Sequence, residues 1–103
     1  MIAVQVTYKV NETYVTANKE RIQHFLEDFA QLDSTQFSYT VFQGAEHNTF
    51  VHISQYKNKE TQLALLNTPS FLHFQEQRDK NLIAEPVIEV LNYIGSSRDV
   101  FEI

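Results

Sequence analysis

The sequence has no cysteine and no tryptophan, only two glycines and two prolines, and eight basic residues that never form a run. Without cysteine there is no disulfide, no iron–sulfur cluster and no thiol nucleophile, which fits a reducing compartment. With so little glycine and proline, no segment reads as a linker or a disordered tail, and no phosphate-cradling glycine loop or dinucleotide fingerprint is present. Scattered Lys and Arg against thirteen acidic residues give a net charge of -5, so nucleic acid and anionic membrane surfaces are not expected as partners. No apolar run approaches the ~20 residues of a membrane span, and "MIAVQVTYKV" lacks the basic start of a secretory signal. A cytoplasmic protein is the expectation. The four histidines have no metal-ligand spacing, and no metal or other cofactor is expected.

The 103 residues correspond to one domain spanning 1–103, enough to bury a core without staples. Ile2, Val4, Val6, Tyr8 and Val10 alternate with Ala3, Gln5, Thr7 and Lys9, the period-two signature of a strand. From Val15 the period changes: Val15, Ile22, Phe25, Leu26, Phe29 and Leu32 recur at helical spacing, with a start in the Asn11–Thr16 region. Gln36–Gln43 and Thr49–Tyr56 read as two strands joined by a hairpin at Gly44–His47, with Gly44 available for positive φ. That loop would place Tyr39 opposite His52 and Val41 opposite Phe50. A second helical stretch comes in two pieces, the first marked by Leu63 and Leu66. The second starts at Thr68-Pro69, a cap followed by proline at the first helical position, and carries Phe71, Phe74, Arg78 and Leu82. "AEPVIEVLNYI" is a last strand. The tail, about residues 96–103, ends in Val100, Phe101 and Ile103, and is expected to dock on its own or a partner chain.

The order strand–helix–strand–strand–helix–strand predicts an α+β, ferredoxin-like βαββαβ fold: an antiparallel sheet with both helices on one face. Ile2, Val4, Val6, Val51 and Ile53, with Ile88, Val90 and Ile94, are the expected floor for the helices. The other face then holds Phe37, Tyr39, Val41, Phe50, His52 and Tyr56, with Leu91 and Tyr93, and with Gln5, Thr7, Lys9, Ser54 and Glu89 among them. Leaving so many large apolar groups in water is unfavourable by ~1.5–3 kcal/mol each. A second copy of the chain is the expected cover, a homodimer through the open sheet face around a partly wet, aromatic-lined cavity.

"SYTVF" followed by "TFVHISQY", then "LLNTPSFLHFQEQ" and "EPVIEVLNYIGS", resembles the antibiotic biosynthesis monooxygenase family over about residues 2–96. The matching positions are Tyr39, Phe42, Phe50, Val51, His52, Phe71, Phe74, Pro86 and Gly95. The resemblance implies a ferredoxin-like protomer that pairs sheet to sheet into a dimeric α/β barrel and, in the enzymes, holds a small hydrophobic or aromatic ligand. It implies a monooxygenase working on a small aromatic or quinol-like compound without metal or flavin. The alternative is a non-catalytic ligand-binding or interaction module on the same scaffold. The sequence departs from the family's enzymes in having no tryptophan, and its first strand offers Gln5 and Thr7 where haem-degrading members have asparagine. Haem degradation is therefore set aside.

His52 is the candidate catalytic residue, since an imidazole can move protons near neutral pH; a structural histidine bonded to Tyr39 or to a partner chain is the other reading. Tyr39, Thr7, Gln5, Phe50 and Tyr93 are the candidate substrate-binding residues. His73 reads as a helix-surface residue, and Glu89 as an interchain ion-pair partner or a cavity acid.

Overall fold

A computed structural model describes residues 1–99 and 101. The elements follow the expected order: β1 (Ile2–Lys9), α1 (Val15–Phe29) after a 3-10 turn at Glu12–Tyr14, β2 (Phe37–Gln43), β3 (Thr49–Tyr56), α2 (Lys59–Leu66), α3 (Pro69–Asp79) and β4 (Val87–Leu91). The four strands form one antiparallel sheet in the order β2-β3-β1-β4. This is the ferredoxin-like α+β arrangement, and within one chain the sheet is open rather than closed into a barrel.

Local chemistry sets the element ends. Asn58 caps α2, its side-chain oxygen accepting the Thr61 N–H at 2.9 Å. Pro69 opens α3 at the position where a missing N–H costs nothing, which separates α2 from α3. No side chain in the Asn11–Thr16 region caps α1; its N-cap residue is Tyr14, without a capping bond. In α2 the buried leucine is Leu65, whereas Leu63 is half exposed. Val10 continues β1 only as a bridge to Leu82.

The hairpin register differs from the expected one by two residues: Val41 pairs with His52 and Gln43 with Phe50. The four-residue loop is Ala45–Asn48, because Gly44 still donates to the Thr49 carbonyl, so it sits one residue later than expected. A two-residue shift keeps every side chain on its face. Gly44 does not adopt positive φ. Its lack of a side chain serves instead a close approach, since a Cβ there would lie 3.1 Å from the Thr49 methyl.

The assignment of faces is corrected more deeply. Val6 pairs with His52, Val4 with Ser54, Ile2 with Tyr56 and Tyr8 with Phe50. Directly paired residues share a face, so the aliphatic stripe of β1 and the aromatic stripe of β3 lie on the same side, and that side carries the helices. Val51 and Ile53 lie instead beside Thr7 and Gln5 on the open face. The histidine-bearing surface is thus under the helices and cannot be the sheet-to-sheet contact expected from the sequence.

Beneath the helices is one aromatic cluster. Phe25 and Phe29 of α1 and Phe71 and Phe74 of α3 interlock with Tyr8, Tyr39 and Phe50 of the sheet, many pairs meeting edge to face. Phe25 and Phe74 are wholly buried. The helix layer stops short of β4. Ile88 and Val90 lie on the helix side, paired with Val6 and Val4, yet remain 68% and 78% exposed. Every residue of β4 is exposed. Of the apolar tail, Val100 and Ile103 lie outside the described residues; Phe101 is half-buried.

Candidate functional site

The uncovered margin beside β4 opens into a cavity of about 360 Å³ between the sheet and the helices, a size suited to a small organic ligand. Val4 and Val6 of β1, Leu66 of α2, Phe71 of α3 and Ile88 and Val90 of β4 give it apolar walls. Tyr39, His52, Ser54, Gln62, Gln75 and Arg78 bring polar groups to it, beside Tyr56.

His52 is 3% exposed and bonded at both ring nitrogens. Its Nε2 lies 2.8 Å from the Tyr8 hydroxyl and its Nδ1 2.8 Å from the Tyr39 hydroxyl. The Asn18 side-chain amide of α1 donates to the Tyr8 oxygen at 3.0 Å. Burial, reinforced by the Arg78 cation, holds the imidazole neutral, its pKa pushed down to about 3. Burial also raises the Tyr8 and Tyr39 phenols above their ordinary value, so both stay protonated.

These constraints fix a direction of hydrogen bonding. Tyr8 is 2% exposed, and among the described residues its hydroxyl bonds only Asn18 and His52. With the Asn18 amide nitrogen turned to Tyr8, an orientation that leaves Asn18 Oδ1 buried without a partner among the described residues, the Tyr8 O–H donates to His52 Nε2. A neutral imidazole then carries its proton on Nδ1 and donates it to the Tyr39 oxygen. The Tyr39 O–H is left pointing away from His52, toward the cavity that Tyr39 lines. His52 so placed is a neutral imidazole engaged at both nitrogens between the two phenols.

Arg78 supplies the charge. Its guanidinium lies 5.3 Å from the centroids of both Tyr8 and Phe74, packing that orients it by cation–π attraction. Nε and one terminal nitrogen donate to Asp79 Oδ1 at 3.1 and 2.9 Å. The Arg78 side chain is 13% exposed, the Asp79 side chain 58%.

The residues expected from the sequence divide between the two faces. His52 and Tyr39 are together. Phe50 shares their face but is 2% exposed, stacked beside Tyr8 with ring centroids 5.6 Å apart, and does not line the cavity. Gln5 and Thr7 pair with Ile53 and Val51 on the open face, separated from His52 by the sheet itself. Tyr93 lies beyond β4, its hydroxyl 2.7 Å from Ser96 Oγ. Glu89 pairs with Gln5, exposed, and Lys9 pairs with Glu46 at 2.9 Å. His73 is exposed, its Nε2 accepting from Arg21 at 2.6 Å. Sequence reasoning missed Tyr8, Asn18 and Arg78. The signal was there in two of them: Asn18 falls on the buried stripe with Val15, Ile22 and Phe25, and Arg78 on the stripe with Phe71 and Phe74. A polar residue on an apolar stripe needs a partner. Among the described residues no group of three His, Cys, Asp or Glu could hold a metal ion, and no helix is long and apolar enough to cross a membrane.

The family model described as antibiotic biosynthesis monooxygenase matches residues 1–77. Among solved structures, one described as an antibiotic biosynthesis monooxygenase superposes with a TM-score of 0.79 at 11% identity, covering 92% of this chain and 100% of that one. A Mycobacterium tuberculosis protein gives 0.78 at 14% identity, covering 94% and 98%. A candidate monooxygenase of this name from Nitrosomonas europaea gives 0.78 at 16%, covering 90% and 89%. At these identities the likeness is one of fold. No curated protein matches the sequence significantly.

Proposed function

The chain belongs to the antibiotic biosynthesis monooxygenase family, and on that premise we propose that it oxidises a small aromatic or quinol-like compound in the cavity beside His52 without a bound metal or flavin. The observation that carries this is the directed chain Asn18–Tyr8–His52–Tyr39, ending in a hydroxyl at an apolar cavity of ligand size. The ring would lie against Phe71 and the valines of β1, with Tyr39 bonding its oxygen. The substrate itself supplies the electrons. A phenol gains a C–O bond from one atom of O₂, the same ring carbon loses its hydrogen, and the second oxygen leaves as water, so phenol and O₂ become quinone and water. In this reading His52 positions Tyr39 rather than shuttling protons. Gln5 and Thr7 belong to the other side of the sheet, and Tyr93 lies beyond β4.

The assembly we propose is a homodimer through the open face. Phe42, Val87 and Leu91 are exposed there, with Val51 and Ile53 half-buried, a surface unfavourable in a lone protomer. Closure into a two-chain barrel would also shelter β4. Ile53→Lys should give monomers in sedimentation velocity, and a wild-type chain that sediments as a monomer at micromolar concentration refutes the dimer.

The activity is tested by oxygen uptake and quinone formation with 1-naphthol and dihydroxynaphthalenes. Turnover above the blank, reduced at least ~tenfold in Tyr39→Phe, is the expected result. A second reading, a binding module without turnover, is favoured by one observation: His52, the candidate base, is held neutral with both nitrogens engaged. Ligand-dependent stabilisation with no oxygen uptake across the panel would establish that reading and remove the first.

A further inference from the structure

We infer that the occupant of this cavity is a small aromatic anion, its negative oxygen held by the Arg78 guanidinium and the Tyr39 hydroxyl. This deepens the proposal above and rests on the cavity being the ligand site. Arg78 is a cation set among apolar walls. Of its three nitrogens, two donate to Asp79, while the second terminal nitrogen has no protein partner among the described residues. Asp79 itself is mostly in solvent, where ion pairs are screened and weak, so the carboxylate leaves much of the field inside the cavity uncompensated. The rings of Tyr8 and Phe74 fix the guanidinium in place, which lowers the entropic cost of using it as an anchor.

The second donor is independent of the first. The bonding direction along Asn18, Tyr8 and His52 turns the Tyr39 O–H outward, so Tyr39 offers a proton and asks for an acceptor. Two donors, one of them cationic, facing an apolar space select an oxyanion on a flat hydrophobic body over a neutral molecule of the same shape. Among the described residues no carboxylate lines this cavity, and Asp79 alone bonds the guanidinium from outside it. Gln62 gives the opposite preference: its Oε1 is shielded from solvent and has no partner among the described residues, an acceptor suited to a hydroxyl elsewhere on the ring. An ionised phenol or an aromatic carboxylate with a ring hydroxyl satisfies all three groups. For an ionised phenol the same anchor would also favour the electron-rich form that reacts with oxygen.

The test uses the purified full chain and matched probes. Calorimetry with 4-hydroxybenzoate against 4-hydroxybenzamide compares carboxylate and neutral isostere. The visible band of 4-nitrophenolate, followed with added protein at a pH below the probe's own pKa, reads the phenolate arm. Binding of each probe is located by the ring resonances of His52. The expected result is a preference for at least one of the two anions, by roughly tenfold to a hundredfold, the range of a charge-assisted hydrogen bond. Arg78→Gln should abolish the preference, Arg78→Lys should retain part of it, and Tyr39→Phe should weaken the anion more than the amide. Arg78→Lys keeps the test valid if the neutral variant unfolds. Neutral probes that shift His52 as tightly as the anions, or a preference that survives Arg78→Gln, overturn the anion inference while leaving the cavity as the ligand site. If no probe of either kind shifts His52, the ligand-site reading and this inference both fall.

Discussion

Replacing His52 by leucine keeps the size of the side chain and removes only the bridge between two phenols, so its effect on stability can be worked out from the bonds it breaks. The Tyr8 O–H loses its acceptor at a site 2% exposed. An orphaned buried donor costs about 1–3 kcal/mol. Tyr39 loses a donor as well, but its oxygen borders the cavity, where water can replace it. Tyr8→Phe orphans two groups at once, His52 Nε2 and the Asn18 amide, so its cost should be the larger, roughly 2–4 kcal/mol. In the double variant the Tyr8–His52 bond is absent on both sides, and only the Asn18 amide and Tyr39 remain to be satisfied. The double variant should therefore lose about 1–2 kcal/mol less than the sum of the single losses. Urea unfolding of all four proteins at pH 7.5, with a common m value, measures this coupling. Costs that add to within ~0.5 kcal/mol would mean that Tyr8 and His52 do not bond, and the bonding direction built on that contact would fail.

Acid should destabilise the protein through the same histidine. Its native pKa near 3 lies below the unfolded value of 6.5, so between those limits the unfolded chain holds a proton that the folded chain does not. Stability is full above 6.5 and falls as pH drops through that window, by up to ~1.4 kcal/mol per unit. Urea midpoints at pH 7.5, 6 and 5 check this, and His52→Leu should lose that part of the slope. At the start of α2, Asn58→Ala should cost about 1 kcal/mol in the same assay by removing the cap on the Thr61 N–H. Phe74→Ala should cost roughly 3–5 kcal/mol, because Phe74 of α3 is wholly buried against α1 and the sheet.

The element order and the break at Thr68-Pro69 were legible in the sequence, because each rests on a local pattern; Tyr39 was expected directly opposite His52, but it pairs with Ser54 and reaches the imidazole from two residues along the same face. The relation between β1 and β3 was not. Each strand carries an unmistakable stripe, aliphatic in one and aromatic in the other, but which stripes share a side depends on the register after a crossover of some forty residues, and neither strand encodes it alone. Pairing Val6 with His52, where Val6 was expected to share a face with Val51, moved the candidate site from the open face to the helix side. Tyr8 was hidden for a related reason: alternating with Val4 and Val6, it reads as one more core residue until His52 is found beside it.

The direct test of the account is the imidazole of His52 itself, observed by ¹⁵N-edited NMR of its ring between pH 8 and 5. The bonds to Tyr8 and Tyr39 require a neutral ring with its proton on Nδ1, accepting at Nε2, and no inflection across that range. A ring protonated on Nε2, or one that titrates near 6.5 like a solvent-exposed histidine, would contradict it.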